Sequence, residues 1–159
     1  MAQIMRYWEY PDRGQGSIFY VTGSLEIPVS VPDFSEPPFD WANMPLSLSS
    51  NSSLTQIKAV AQLSFYCGAS VQMDYTPRSS GAYIDDTVGA LVNVFKYPSN
   101  AQYIYRSEIS SWDTVMRDQI LRGQPVLYRG SSGSGGHAFV LDGVQDSEQG
   151  YLFHFNLGW

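Results

Sequence analysis

Apolar residues recur mostly at helical spacing ahead of Gly123 and alternate with polar ones after it. Residues 1–7 read as helical, with no capping residue before them and Pro11 closing the segment soon after. Ile18, Phe19, Val21, Leu25, Ile27, Val29 and Val31 make residues 18–31 strand-like, interrupted at Gly23. Residues 28–53 are rich in Pro, Ser and Asn, which predicts a long surface excursion pinned by Phe39 and Trp41. Ser53 and Gln56 have capping-box spacing and open a helix on which Leu54, Ile57, Ala61 and Phe65 are expected to face the core. Gly68 is the expected stop. A small-residue loop over 73–83 leads to a short helix over about 86–95. Another helix spans about 111–122, with Trp112, Val115, Met116 and Ile120 on one face, and Gly123 and Pro125 ending it. Residues 125–129, 137–142 and 151–156 read as strands. Helices first and strands last imply α+β rather than alternating βαβ units.

Composition narrows the class without naming a function. A length of 159 residues fits one domain, and 43% hydrophobic against 15% charged residues is enough apolar material for a core. The net charge of -6 and the lack of a Lys/Arg stripe argue against nucleic acid as a partner. No apolar run approaches the roughly 20 residues that span a bilayer. Residues 1–10 lack the charged start, apolar middle and small-residue cleavage site of a secretory signal. The single cysteine, Cys67, excludes an internal disulfide.

The strongest local signal is the run from Gly135 to Gly143. Alternation sets His137, Phe139 and Leu141 on one strand face and Ala138, Val140 and Asp142 on the other. A histidine at a strand mouth beside two glycines suits a general base, because its ordinary pKa lies near working pH. The competing reading is a structural histidine bonded to a nearby carbonyl. On the last strand Leu152, His154 and Asn156 share a face, and Asn156 ends it, where its amide could hold an imidazole's tautomer. Papain-like peptidases place His and Asn in that order, roughly 130–150 residues downstream of a cysteine. Cys67 is a poor nucleophile, since it follows Leu63, Phe65 and Tyr66 at the end of an apolar helix, where inert buried thiols sit. Residues 130–136 are Gly- and Ser-rich, but no Gly-Lys-Ser/Thr or helix follows, so they are expected to form a flexible loop rather than a phosphate cradle. The histidines and Asp142 do not make a metal-ligand set, and no cofactor is implied.

Several motifs together resemble the streptopain family of bacterial cysteine peptidases, a branch of the papain-like clan. They are Ala2-Gln3-Ile4-Met5-Arg6-Tyr7, Trp41-Ala42-Asn43-Met44-Pro45, Met73-Asp74-Tyr75-Thr76-Pro77, Gln124-Pro125-Val126-Leu127-Tyr128, Gly135-Gly136-His137-Ala138-Phe139-Val140 and His154-Phe155-Asn156-Leu157-Gly158-Trp159, in the family's order and essentially from end to end. The resemblance implies a papain-like α+β fold: a single peptidase domain over 1–159, with a helical lobe over about 1–95 and a β-rich, barrel-like lobe over about 96–159 that carries the catalytic histidine. In the family, a Gly-Cys-Val-Ala-Thr-Ala pattern precedes the opening motif. The nucleophile is therefore expected a few residues before Met1, at a helix N-terminus whose partial positive charge favours thiolate. The family chain also continues past the last Trp, so the domain is expected to be incomplete at both ends.

By the same resemblance His137 is the general base and Asn156 its partner. Gly136, with Gly135 beside it, matches a position where backbone binds substrate, and the Ser79-Ser80-Gly81 loop, through Ser80 and Gly81, matches the wall of an apolar subsite. Leu157 stands where the family's Asn-Trp-Gly-Trp motif has its first Trp, a residue that packs with Trp159 near the histidine. The implied activity is that of a cysteine endopeptidase, secreted or at the cell surface, made as a zymogen with an inhibitory propeptide and acting on protein or peptide substrates. This chain alone, without the nucleophile, is expected to be inactive. The alternative is a catalytically inactive peptidase-like adhesin or peptide-binding module, which Leu157 and the missing thiol motivate. A homodimer through the strand edge after Trp159 is a further expectation.

Overall fold

The computed structural model describes residues 1–133 and 135–158. The chain divides into two compact units, residues Met1–Gln102 and Tyr103–Trp159.

The first unit opens with helix α1 (Ala2–Trp8), closed by Glu9 at φ 47°, whose N–H donates to the Arg6 and Met5 carbonyls. Strands β1 (Ile18–Val21) and β2 (Pro28–Val31) pair antiparallel, so the interruption at Gly23 is a hairpin turn. Thr22 is buried there, and its hydroxyl accepts from the Ile27 N–H. A 3-10 turn (Trp41–Asn43) leads to helix α2 (Leu54–Ser70), and helix α3 (Asp86–Asn93) follows. The capping box at Ser53 and Gln56 forms in both directions, each side chain meeting the other's backbone N–H.

The inward face of α2 is not the expected one. Ala59, Leu63, Tyr66, Cys67 and Ala69 are buried, whereas Leu54, Ile57, Ala61 and Phe65 are exposed, Leu54 to 65%. Both stripes repeat at helical spacing, so the period alone does not choose between them. What chooses is aromatic packing. Phe34 and Phe39 meet the Tyr66 ring edge-on at 5.2 and 5.8 Å, and the Tyr66 hydroxyl donates to the Glu36 carbonyl at 2.8 Å.

Residues 28–53 are likewise only partly a surface excursion. Phe39 and Trp41 do pin the segment, and the Trp41 indole donates to the Pro11 carbonyl at 3.1 Å. Val29, Val31, Phe34 and Met44 are buried as well, so residues 29–44 help wall the core, while residues 45–53 stay at the surface as expected. The segment's Pro and Ser residues break regular hydrogen bonding without keeping the aromatics between them out of the interior. Helix α2 runs past Gly68 to Ser70, because Gly68 is buried and serves close packing rather than termination.

The second unit holds helix α4 (Trp112–Leu121) and strands β3 (Val126–Ser132), β4 (Gly135–Ser147) and β5 (Gly150–Asn156), in the antiparallel order β3-β4-β5. Gly123 at φ 71° ends α4 as expected. The Arg117 guanidinium reaches Asp146 of β4 at 3.1 Å and lies over the Tyr151 ring at 5.3 Å, tying α4 to the sheet. Residues 130–136 were expected to be a flexible loop, but β3 and β4 pair through Ser131↔Gly136 and Ser132↔Gly135. Gly and Ser are weak strand formers, and the ladder rather than propensity carries them here; Ser134 lies outside the described residues. The sheet is three-stranded, with no closed barrel among the described residues. No helix among them is long and apolar enough to cross a membrane.

A methyl group at position 68 would fall on the Tyr75 hydroxyl, whose oxygen is buried without a hydrogen-bond partner among the described residues. Gly68→Ala is therefore expected to destabilise the first unit by about 1–3 kcal/mol. Tyr75→Phe in that background, removing the colliding and unsatisfied oxygen, is expected to recover part of the loss in a thermal melt.

Candidate active site

His137 sits near the start of β4, directly across the ladder from Gly130, where a Cβ would press on the Phe139 ring at 3.2 Å. The ring stacks on Phe139 at 6.0 Å. Phe139 in turn stacks on Tyr128 at 5.5 Å and meets the edge of Phe155 at 5.3 Å. Tyr128 is fixed from α4 by the Trp112 indole, which donates to its hydroxyl at 2.9 Å. The alternation of Tyr128, Phe139 and Phe155 thus becomes an aromatic shelf that sets the plane of the histidine.

The His137 Nε2 lies 2.8 Å from the Leu157 carbonyl oxygen. A carbonyl only accepts, so Nε2 carries the proton, and the neutral ring keeps its basic lone pair at Nδ1. The Asn156 Oδ1 accepts from the Gly158 N–H at 3.1 Å, bending the chain end that presents the Leu157 carbonyl. Sequence reasoning proposed the Asn156 side chain as the imidazole's partner and did not anticipate the Leu157 carbonyl, which no side-chain pattern reveals. The Leu157 side chain is 42% exposed. Trp159, expected beside the histidine, lies outside the described residues.

An open hollow of about 380 Å³ lies against this histidine, lined by Gly130, Ser131, Ser132, Gly135, Gly136, His137 and Phe139. Gly135 and Gly136 are exposed at its rim, and Gly135 takes φ 151°, a conformation strained for any side-chain-bearing residue. The hollow has backbone N–H and carbonyl groups, hydroxyls and one imidazole, which suits an extended peptide better than a phosphate.

Ser80 and Gly81 belong to the first unit and are exposed on the 73–83 loop. Gly81 and Asp74 exchange backbone hydrogen bonds at 2.8 and 3.2 Å, and the Ser79 N–H donates to the Thr76 hydroxyl at 3.0 Å. The Asp74 carboxylate accepts from the Ser24 hydroxyl and N–H, and the Tyr20 hydroxyl donates to the Met73 carbonyl at 2.9 Å. The loop is therefore braced on the β1–β2 hairpin rather than free. Cys67 is buried against the Met5 sulfur at 3.5 Å, and burial pushes its thiol up to about 12. That is an inert core thiol.

The description of the peptidase C10 family matches residues 1–159. The chain belongs to the peptidase C10 family. It is 32% identical over 170 residues to streptopain of Streptococcus pyogenes. It is 31% identical over 161 residues to the thiol protease/hemagglutinin PrtT of Porphyromonas gingivalis. The chain spans 41% of the length of the first and 18% of the second, while 99% and 100% of the chain is matched. Among solved structures, active wild-type interpain A cysteine protease of Prevotella intermedia superposes with TM-score 0.87 at 35% identity, covering 99% of this chain and 67% of that one. A prointerpain A fragment from the same organism gives TM-score 0.87 at 34% identity, covering 99% of this chain and 50% of that one. The fold of this C10 chain is thus the α+β, papain-like one.

The Asp74 brace yields a pH test. The Ser24 hydroxyl, then the Ser24 N–H, holds the Asp74 carboxyl below its ordinary value. A depressed carboxyl stabilises the fold above the unfolded-state pKa of about 4, and that contribution fades as pH falls through the folded value. Ser24→Ala should raise the Asp74 pKa in a carboxyl NMR titration. Its melting-temperature deficit should be largest at neutral pH and shrink in acid.

Proposed function

We propose that this chain carries the acid–base half of a cysteine-type endopeptidase site, with His137 as the proton carrier. The observation that supports it most is the 2.8 Å contact between Nε2 and the Leu157 carbonyl beside an open, peptide-sized hollow. Membership of the C10 family and the thiol-protease names of its relatives point the same way.

With its proton fixed at Nε2, His137 accepts the nucleophile's proton at Nδ1, giving a thiolate–imidazolium pair. Thiolate attack on the scissile carbonyl forms a C–S bond and a tetrahedral oxyanion. Imidazolium then protonates the leaving amine as the C–N bond breaks, leaving a thioester that water hydrolyses by the same proton route. The thiol cannot be Cys67, which is buried and protonated at neutral pH. The reading assigns it to a cysteine of the parent protein ahead of Met1, so the chain by itself would not turn over substrate. Gly135 and Gly136 would bind the peptide backbone, and Ser80 and Gly81 would line an apolar side-chain subsite. Substrates would be proteins or peptides, and a propeptide would cover the site before activation. A secreted or cell-surface location goes with that role.

Leu157 favours a second reading, a binding module of the same fold, because it removes an indole from the histidine's surroundings. The two separate on one experiment. The parent protein, treated with a thiol-directed epoxide and weighed intact, is expected to take up a single adduct on the upstream cysteine and none on Cys67. His137→Ala is expected to abolish the adduct while the protein stays folded. A folded parent that takes up no adduct would favour the binding module.

A further inference from the structure

Strand β4 carries an irregularity that the proposed function does not use. Ladder partners run in step from Ser147↔Gly150 to Gly143↔His154, then resume one residue out of step at Leu141↔Phe155 and Val140↔Asn156. Asp142 is the extra residue, a β-bulge. Its side chain accepts a hydrogen bond from His154 Nδ1 at 2.6 Å. A Cβ at Gly143 would come within 2.9 Å of the His154 Cβ, so the imidazole reaches Asp142 only because position 143 is glycine. Bulge, glycine and Asp–His bond thus occur at one point in the sheet.

The bulge decides what β5 presents at its end. An uninterrupted ladder from Gly143↔His154 would set Asn156 opposite Leu141 and Phe155 opposite Asp142. With it, Phe155 lies opposite Leu141 and packs on Phe139 and Tyr128, and the next residues bring the Leu157 carbonyl to His137 Nε2. A slip of one residue reverses every side chain's face. An exposed ion pair adds little to stability. It can still select between registers that differ by one residue, since only the bulged register puts Asp142 against His154.

We propose that Asp142 and His154, with Gly143, form a register pin that positions the Leu157 carbonyl and thereby fixes the tautomer of His137. These are positioning residues for the site read above as a peptidase centre, and the inference rests on that reading only for its use, not for its geometry. The bond needs no particular charge on His154, because Nδ1 carries a proton in both the Nδ1–H neutral form and the cation.

The test reads the imidazole nitrogens directly, by long-range ¹H–¹⁵N correlation on this chain at a pH where both rings are neutral. With 2 histidines, the assignment follows from His154→Ala alone. Wild type is expected to show His137 as one tautomer, Nε2 protonated and Nδ1 bare, with widely separated nitrogen shifts. In Asp142→Ala and in His154→Ala the separation should collapse toward the average of two exchanging tautomers. Asp142→Asn, whose amide oxygen still accepts from Nδ1–H, should retain it. An unchanged His137 tautomer in either alanine variant that stays folded would overturn the pin, as would an asparagine variant that behaves like the alanine one. Epoxide labelling of the parent protein is a separate readout. A pin that holds in a protein without a reactive thiol would remove the peptidase reading and leave this one standing.

Discussion

An imidazole serves as a directional base only if its one neutral-state proton is kept on the far nitrogen. In this chain the Leu157 carbonyl, 2.8 Å from His137 Nε2, keeps it there. The rest of the second unit can be traced outward from that contact. The aromatic shelf of Tyr128, Phe139 and Phe155 fixes the ring plane, and the Trp112 indole fixes the shelf from α4. Asn156 bends the chain end through Gly158, and the bulge at Asp142 sets which residues arrive there. Glycine at 130, across the ladder, leaves room for the Phe139 ring on which the imidazole stacks.

Much of this was legible in the sequence, and the misses have physical causes. Local signals read well: the capping box at Ser53 and Gln56, the break at Gly23, the stop at Gly123, and the shared face of His137 and Phe139. Each depends on residues a few positions apart. The inward face of α2 did not read, because two apolar stripes compete on that helix and only the distant rings of Phe34 and Phe39 favour the one holding Tyr66. The strand pairing of 130–136 did not read, because a Gly/Ser run takes its structure from the strand opposite. The Asp142–His154 bond did not read either. Alternation set Asp142 opposite the His137 face but gave no reason to pair it with His154, because their meeting depends on a bulge that has no sequence signature of its own.

The first unit shows the same hierarchy with a different outcome. Its one thiol lies within the aromatic and aliphatic core beside Met5, and burial holds it protonated. The 73–83 loop, by contrast, gains its order from polar braces, Ser24 to Asp74 and Tyr20 to Met73, rather than from apolar cover. Residues on it stay exposed and still hold a fixed conformation.

The acceptor at His137 belongs to the main chain, and this affects how the site can vary. A side-chain acceptor is exposed to every substitution at its position, whereas a carbonyl is inherited by whatever residue occupies position 157. The side chain at position 157 can therefore change without removing the group that orients the imidazole. An alanine scan through residues 150–158 would pass over this acceptor, and a ranking of site residues by side-chain loss would undercount it. A substitution at position 157 is then a poor guide to whether the imidazole keeps its orientation.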